Sequence, residues 1–172
     1  VLSRAGLRRR LRRLGDGSAT ALVVPFRGLP LDEPAPGAPP RHVTVLFPFV
    51  GVRRADERLA ARLREIFAPV PAFDVEFASV RRFPDALYLA PEPADRFRAL
   101  TALAVAEWPD HPPYEGRFAE VVPHLTLAEG AEPAGLAERA EALLPLTARA
   151  AAVELLVPTR SGWATALSVP LA

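Results

Sequence analysis

The chain has no cysteine, and its 21 basic side chains include no lysine; every one is arginine. Without cysteine there is no disulfide, no thiolate nucleophile and no cysteine-based metal site, which fits a cytoplasmic protein. Without lysine there is no Schiff base, no P-loop lysine and no ligation through an adenylyl-lysine. No apolar run approaches the ~20 residues of a membrane span. Histidine is scarce too, with only His42, His111 and His124. What remains is half hydrophobic and a quarter charged, the composition of an ordinary soluble globule. The 20 prolines, abundant alanine and all-arginine basic set read as coding bias of a GC-rich genome.

At 172 residues the chain predicts one domain, or two small lobes sharing a core. Charge is unevenly placed. Arg4, Arg8, Arg9, Arg10, Arg12 and Arg13 lie in residues 1–14 with no acid among them, while the rest of the chain carries all 20 acids and only 15 arginines. The near-neutral total therefore hides a basic arm on a mildly acidic body, and such a body is no general nucleic-acid binder. Leucines at 2, 7, 11 and 14 suit a short amphipathic helix, but the segment has neither the apolar core nor the cleavage site of a signal peptide. Residues 1–18 are read as a solvated basic extension and 19–172 as the folded domain.

Periodicity sets out the elements of that domain. Ala19–Phe26 and His42–Phe49 read as strands separated by a proline-rich loop long enough to be a mobile flap. Residues 54–67 read as a helix, with Asp56 near its start. Phe73–Phe83 and Ala86–Ala90 form a hairpin, Pro93–Glu107 a second helix, and Pro109–Gly116 a proline loop. Val121–Ala128 is a strand, Pro133–Leu144 a third helix, and Ala151–Pro158 with Trp163–Val169 a closing hairpin. Phe47, Phe49 and Trp163 are read as core residues.

Two of these strands spell nearly the same thing: His42-Val43-Thr44-Val45 and His124-Leu125-Thr126-Leu127, each with a proline close upstream, Pro40 and Pro123. Side chains alternate along a strand, so His42 and Thr44 share one face, and His124 and Thr126 share one face, while the aliphatic residues feed a core. An imidazole beside a hydroxyl, twice over, is a general acid and a general base around one bound group. His111, in Asp110-His111-Pro112, lacks the spacing of a metal ligand and is read as a loop residue, leaving no metal site and no cofactor.

The pattern resembles the 2H phosphoesterase superfamily, and within it the 2′-5′ RNA ligase and cyclic phosphodiesterase branch. The likeness rests on Pro40 to Phe49 and Val122 to Ala128, and extends to Pro113-Tyr114 and Gly162-Trp163. It implies an α+β fold of two pseudo-symmetric lobes, each an antiparallel sheet with helices, around a central groove. It also implies opening of a cyclic phosphate to leave a 2′-phosphate.

Such chemistry requires one proton removed, one proton supplied, and charge on the phosphate oxygens stabilised. His42 and His124 supply the first two, and the Thr44 and Thr126 hydroxyls donate to non-bridging oxygens; spacing does not assign acid and base between the histidines. Arg27, Arg41, Arg82 and Arg160 flank strand ends and are candidate phosphate contacts, and Tyr114 is a candidate base-stacking residue. Three functions fit. One is a phosphodiesterase or ligase acting on RNA 2′,3′-cyclic phosphate ends or 2′-5′ linkages. The others are a cyclic phosphodiesterase for small nucleotides and a non-catalytic module that holds RNA ends. The expected state is a monomer without membrane attachment.

Overall fold

The computed structural model describes residues 19–32, 34–117 and 120–172. The helix expected over residues 1–14 lies outside the described residues. Among the described residues, eight strands and three α-helices follow in chain order: β1 (Ala21–Pro25), β2 (His42–Leu46), α1 (Glu57–Phe67), β3 (Phe73–Phe83), β4 (Ala86–Glu92), α2 (Ala94–Glu107), β5 (Leu125–Glu129), α3 (Leu136–Glu141), β6 (Leu146–Ala150), β7 (Ala152–Thr159) and β8 (Gly162–Pro170). The fold is α+β, as expected.

All eight strands join one antiparallel sheet in the order β6-β3-β4-β5-β2-β1-β7-β8. Its centre is the pair β5–β2, the two motif strands. To one side lie β1, β7 and β8; to the other lie β4, β3 and β6. These are the two pseudo-symmetric lobes, fused along a shared seam. Each hairpin crosses over: β3–β4, which follows the first motif strand, pairs with the second, and β7–β8 pairs with β1. Only Ala151 separates β6, at one edge, from β7, near the other, so the sheet must curl into a half-barrel to bring them together.

The helices pack on one face. α2 lies against β2 and β4, α1 against β8, and α3 against β3. The Thr101 hydroxyl on α2 donates to the Val45 carbonyl on β2 at 2.8 Å, pinning helix to motif strand. α1 starts where Asp56 accepts from the Arg58 and Leu59 amides, both at 3.0 Å, satisfying donors that a helix N-terminus otherwise leaves orphaned. It buries Leu59, Ala60, Leu63 and Phe67. Phe26 meets Phe77 edge to face at 5.2 Å, and Phe73 meets Phe97 at the same distance, forming the aromatic centre of the core. Val43 and Val45 point into this core, at 0% and 2% exposure.

One strand was not expected. β6, Leu146-Thr147-Ala148-Arg149-Ala150, has a single β-branched residue, and it becomes a strand because the edge of β3 pairs with it from Phe73–Ala150 to Phe77–Leu146. The third helix is shorter than expected, because Gly135, with φ of 71°, delays its start.

The loop over residues 26–41 is tied down rather than free. Its Gly37 carbonyl accepts from the Trp163 amide at 2.8 Å. Gly37 and Gly162 meet so closely that a Cβ on Gly162 would stand 1.8 Å from the Gly37 oxygen, and Gly162 sits at φ +122°. Only glycine satisfies both the contact and the dihedral. We expect Gly162→Ala to lower unfolding free energy in urea by about 2 kcal/mol or more. Gly51→Ala, where nothing lies within 4 Å and φ is −60°, should cost under about 0.5 kcal/mol. Equal effects would contradict the docking of this loop.

Candidate active site

The seam decides what the motifs face. Val43 lies opposite Leu125, both fully buried on the helix side. Continuing that antiparallel register places Thr44 across from His124 and His42 across from Thr126, all four on the opposite, open face. The two histidines are then diagonal neighbours, about 7–8 Å apart across the strands, a gap that admits a tetrahedral phosphate. The imidazoles sense each other electrostatically.

Both rings are held the same way. His42 Nδ1 bonds to the Pro40 carbonyl at 2.7 Å, and His124 Nδ1 bonds to the Val122 carbonyl at 2.8 Å. A carbonyl oxygen only accepts, so each Nδ1 carries the proton and each Nε2 is left for the groove. The partner is two residues upstream in both cases, so the device is local; the upstream prolines were its only trace in the sequence.

The surroundings of the two rings differ. Burial is the main influence that pulls His42 below the ordinary histidine range; the Pro40 carbonyl opposes it, and the charges of His124 and Arg41 reinforce it. His124 is more open, and its ring meets Phe83 at 5.1 Å and Tyr88 at 5.6 Å edge-on, against a Phe83–Tyr88 stack at 4.2 Å. Tyr88 stands opposite Thr126 on the same face. On the other side Val23 stands opposite Thr44 and continues through Ala21, Leu156 and Trp163, a small apolar cluster on the groove face. Phe47 meets Trp163 at 6.3 Å and is 37% exposed, so it borders this cluster rather than the main core. Phe49 is in the main core at 3% exposure, and His111 packs its ring against it at 5.8 Å.

The expected site residues divide into two sets. His42, Thr44, His124 and Thr126 converge as described, and Tyr114 joins them through a side-chain hydrogen bond to Thr44. Arg41 sits at the seam, where its Nη1 donates to the Thr126 and Leu127 carbonyls at 2.9 and 3.0 Å and its Nη2 to the Asp32 carbonyl at 2.9 Å. It thus clamps β2 to β5 where the strand ladder is short. Arg82 pairs with Glu132, and Arg160 is exposed in the β7–β8 turn. Arg27 grips the buried carboxylate of Glu154 at 2.9 and 2.7 Å, and the Thr165 hydroxyl donates to the same group at 3.0 Å. Glu154 escaped notice in the sequence; its signal was a lone acid inside the apolar run of β7. Among the described residues no group of acids and histidines is arranged to hold a metal, and no helix is long and apolar enough to cross a membrane.

Comparison with known proteins places the family and the fold. The sequence pattern of the 2′-5′ RNA ligase superfamily matches residues 16–162. LigT of E. coli, crystallised with 3′-AMP, is similar in fold with a TM-score of 0.55 at 15% identity, over 92% of this chain and 99% of LigT. TT0787 of Thermus thermophilus superposes with a TM-score of 0.53 at 20% identity, over 97% of this chain and 90% of that one. None of the curated proteins matches this chain.

Nuclear magnetic resonance of the histidine rings tests the site directly. Both should show the Nδ1-protonated tautomer, and His42 should titrate below the unperturbed value of about 6.5. A lowered folded value means that the unfolded chain takes the proton first. The His42 contribution to stability is therefore complete above about 6.5 and lost as pH falls through the folded value. An Nε2-protonated His42, or one titrating above the unperturbed value, would contradict this arrangement.

Proposed function

Because this chain belongs to the 2′-5′ RNA ligase superfamily, whose members are 2H phosphoesterases, we propose that it is a metal-independent phosphodiesterase or ligase of RNA 2′,3′-cyclic phosphate ends or 2′-5′ linkages. The observation that carries this reading is the pair of imidazoles, each tied through Nδ1 to a carbonyl two residues upstream, on adjacent strands whose register turns both to one face.

In the hydrolytic direction a cyclic phosphate sits between the rings. His42, kept neutral by burial, takes a proton from water through Nε2 as the water oxygen bonds to phosphorus. The bond from phosphorus to O3′ breaks, and His124 in its imidazolium form delivers a proton to that leaving oxygen. A terminal 2′-phosphate results, and the protons return through solvent. Thr44 and Thr126 donate to the non-bridging oxygens as charge builds there. A ribose hydroxyl in place of water gives ligation, and the histidine roles exchange with direction. The presence of 3′-AMP in LigT supports a nucleotide with its phosphate on the ribose edge as the substrate class. Residues 19–172 are proposed to act as one unit, with Tyr114 lining the substrate side and Arg41 acting through the seam. Arg82 and Arg160 are proposed to meet the substrate from the groove rim, with Arg82 exchanging Glu132 for phosphate.

A second reading has its own support. Arg27, Arg41 and Arg82 already hold protein acceptors, so few guanidinium groups are committed to a long RNA backbone. That favours a small cyclic nucleotide as the substrate.

The test is an RNA oligomer ending in 2′,3′-cyclic phosphate, incubated in EDTA, beside a mononucleoside 2′,3′-cyclic phosphate. Wild type should yield the 2′-phosphate, and His42→Ala and His124→Ala should each lose about 10²–10⁴-fold in kcat/KM. Full activity in either folded variant would end the two-histidine mechanism. Turnover of the mononucleotide alone would select the second reading.

A further inference from the structure

β5 changes phase just past the second motif. Tyr88 on β4 stands opposite Thr126, but Leu87 stands opposite Ala128, and Ala86 opposite Glu129. One step along β4 therefore spans two along β5, and Leu127 is the extra residue of a β-bulge. Burial agrees with this. Leu127 belongs to the main core, and Ala128 packs against that same core. Two successive residues face the helix side, and alternation resumes one position late. Unbroken alternation would put Ala128 on the groove face and Glu129 in the core. The bulge instead returns Glu129 to the open face that Thr126 and both histidines share, where it is exposed.

The register also fixes its place along the seam. Val43 lies opposite Leu125, so Thr126 lies across from His42, and β5 runs on past His42 to Glu129. The charge of Glu129 is felt there. After burial and the Pro40 carbonyl, His42 responds to His124, Glu129 and Arg41, and Glu129 acts on it more strongly than Arg41 does. The Tyr114 phenol, raised above all by burial, is raised further by the same carboxylate.

Neighbouring acids are answered by arginine: Glu132 by Arg82, Glu154 by Arg27 and Asp32 by Arg139. Among the described residues no arginine pairs with Glu129. A carboxylate without a cation, in a groove for phosphate, opposes its own ligand. How strongly it does so depends on the charge of that ligand. A phosphodiester, cyclic or open, carries one negative charge. The monoester left by ring opening approaches two above neutral pH, because its second pKa is about 6. Coulomb energy is linear in charge, so the dianion is disfavoured by about twice the free energy of the monoanion.

We propose that Glu129 is a specificity-determining residue which makes the groove favour phosphodiester monoanions over phosphomonoester dianions, and so helps to expel the ring-opened product. This rests on the two-histidine reading of the groove and deepens it by naming the charge class that the groove accepts.

The test uses 3′-deoxyadenosine 2′-phosphate and its methyl ester. They are a matched dianion and monoanion, and without a 3′-hydroxyl neither can cyclise. Dissociation constants are measured at about pH 8, well above the second phosphate pKa, by following the His42 and His124 ring resonances. Wild type should bind the methyl ester more tightly. Glu129→Gln, which keeps the shape and removes the charge, should tighten the methyl ester about threefold and the monoester about tenfold, roughly the square. Glu129→Ala removes the same charge and should show the same pair of factors. Both factors should shrink toward one in about 0.5 M salt. Glu129→Asp, which keeps the charge, should keep the wild-type ratio.

Equal factors for the two probes, no tightening at all, or a wild-type preference for the monoester overturns the role of Glu129. If wild type still opens a cyclic phosphate, the histidines keep theirs. A wild-type protein that binds neither probe and opens no cyclic phosphate overturns both this role and the reading on which it stands.

Discussion

The pairing of Val43 with Leu125 is the contact on which the site depends. It makes the two motif strands neighbours, runs them antiparallel and turns both histidines to the same face. A slip of one residue would carry His42 and Thr44 to the helix side and Val43 and Val45 into the groove. Several independent interactions guard this register. The valines and Leu125 are buried beneath α2, Thr101 bonds to Val45, and Arg41 reaches across to two carbonyls of β5. The direct ladder between β2 and β5 is short, so side chains and the helix layer supply what the strands alone do not.

The fold joins two similar halves, and the two motif histidines sit where those halves are least alike. Each half contributes a histidine whose Nδ1 is bound to a carbonyl two residues upstream and a threonine two residues downstream. The environments then diverge. His42 is the more buried ring and is held toward its neutral form; His124 is more open and leans on an aromatic pair. What separates the two rings is burial rather than the motifs, since the motifs are nearly identical. One half ends in the aliphatic cluster beside Trp163 and the other in the Phe83–Tyr88 stack, so the groove face has two unlike walls.

Arginine serves here for construction. Arg27 satisfies a buried carboxylate, Arg41 ties two strands, and Arg62 bridges α1 to Glu107 at the end of α2. A planar guanidinium with five donors suits each of these tasks, because it can satisfy two acceptors at once. Proximity of an arginine to a motif is therefore weak evidence that it touches substrate. Arg41 adjoins His42 in sequence, yet its Nη atoms donate to three backbone carbonyls.

Local rules were enough to read much of this molecule. Alternation in Phe73–Phe83 and in both motifs, the Asp56 cap and the apolar stripe of α1 are written in neighbouring residues, and the structure follows them. The paired His-x-Thr strands likewise stood out as a candidate site from their repetition. Tertiary structure decided what spacing cannot encode. It made Leu146–Ala150 a strand through the open edge of β3. It crossed the hairpins, so that β4 of the first half flanks the second motif strand and β7–β8 of the second half pairs with β1. It fastened a proline-rich loop through two glycines distant in sequence, and it forced Tyr114 into a left-handed turn. The physical reason is the same in each case. Helix caps and strand alternation depend on residues within a turn or two, whereas strand pairing, close backbone approach and backbone strain are settled by whatever the completed sheet brings alongside.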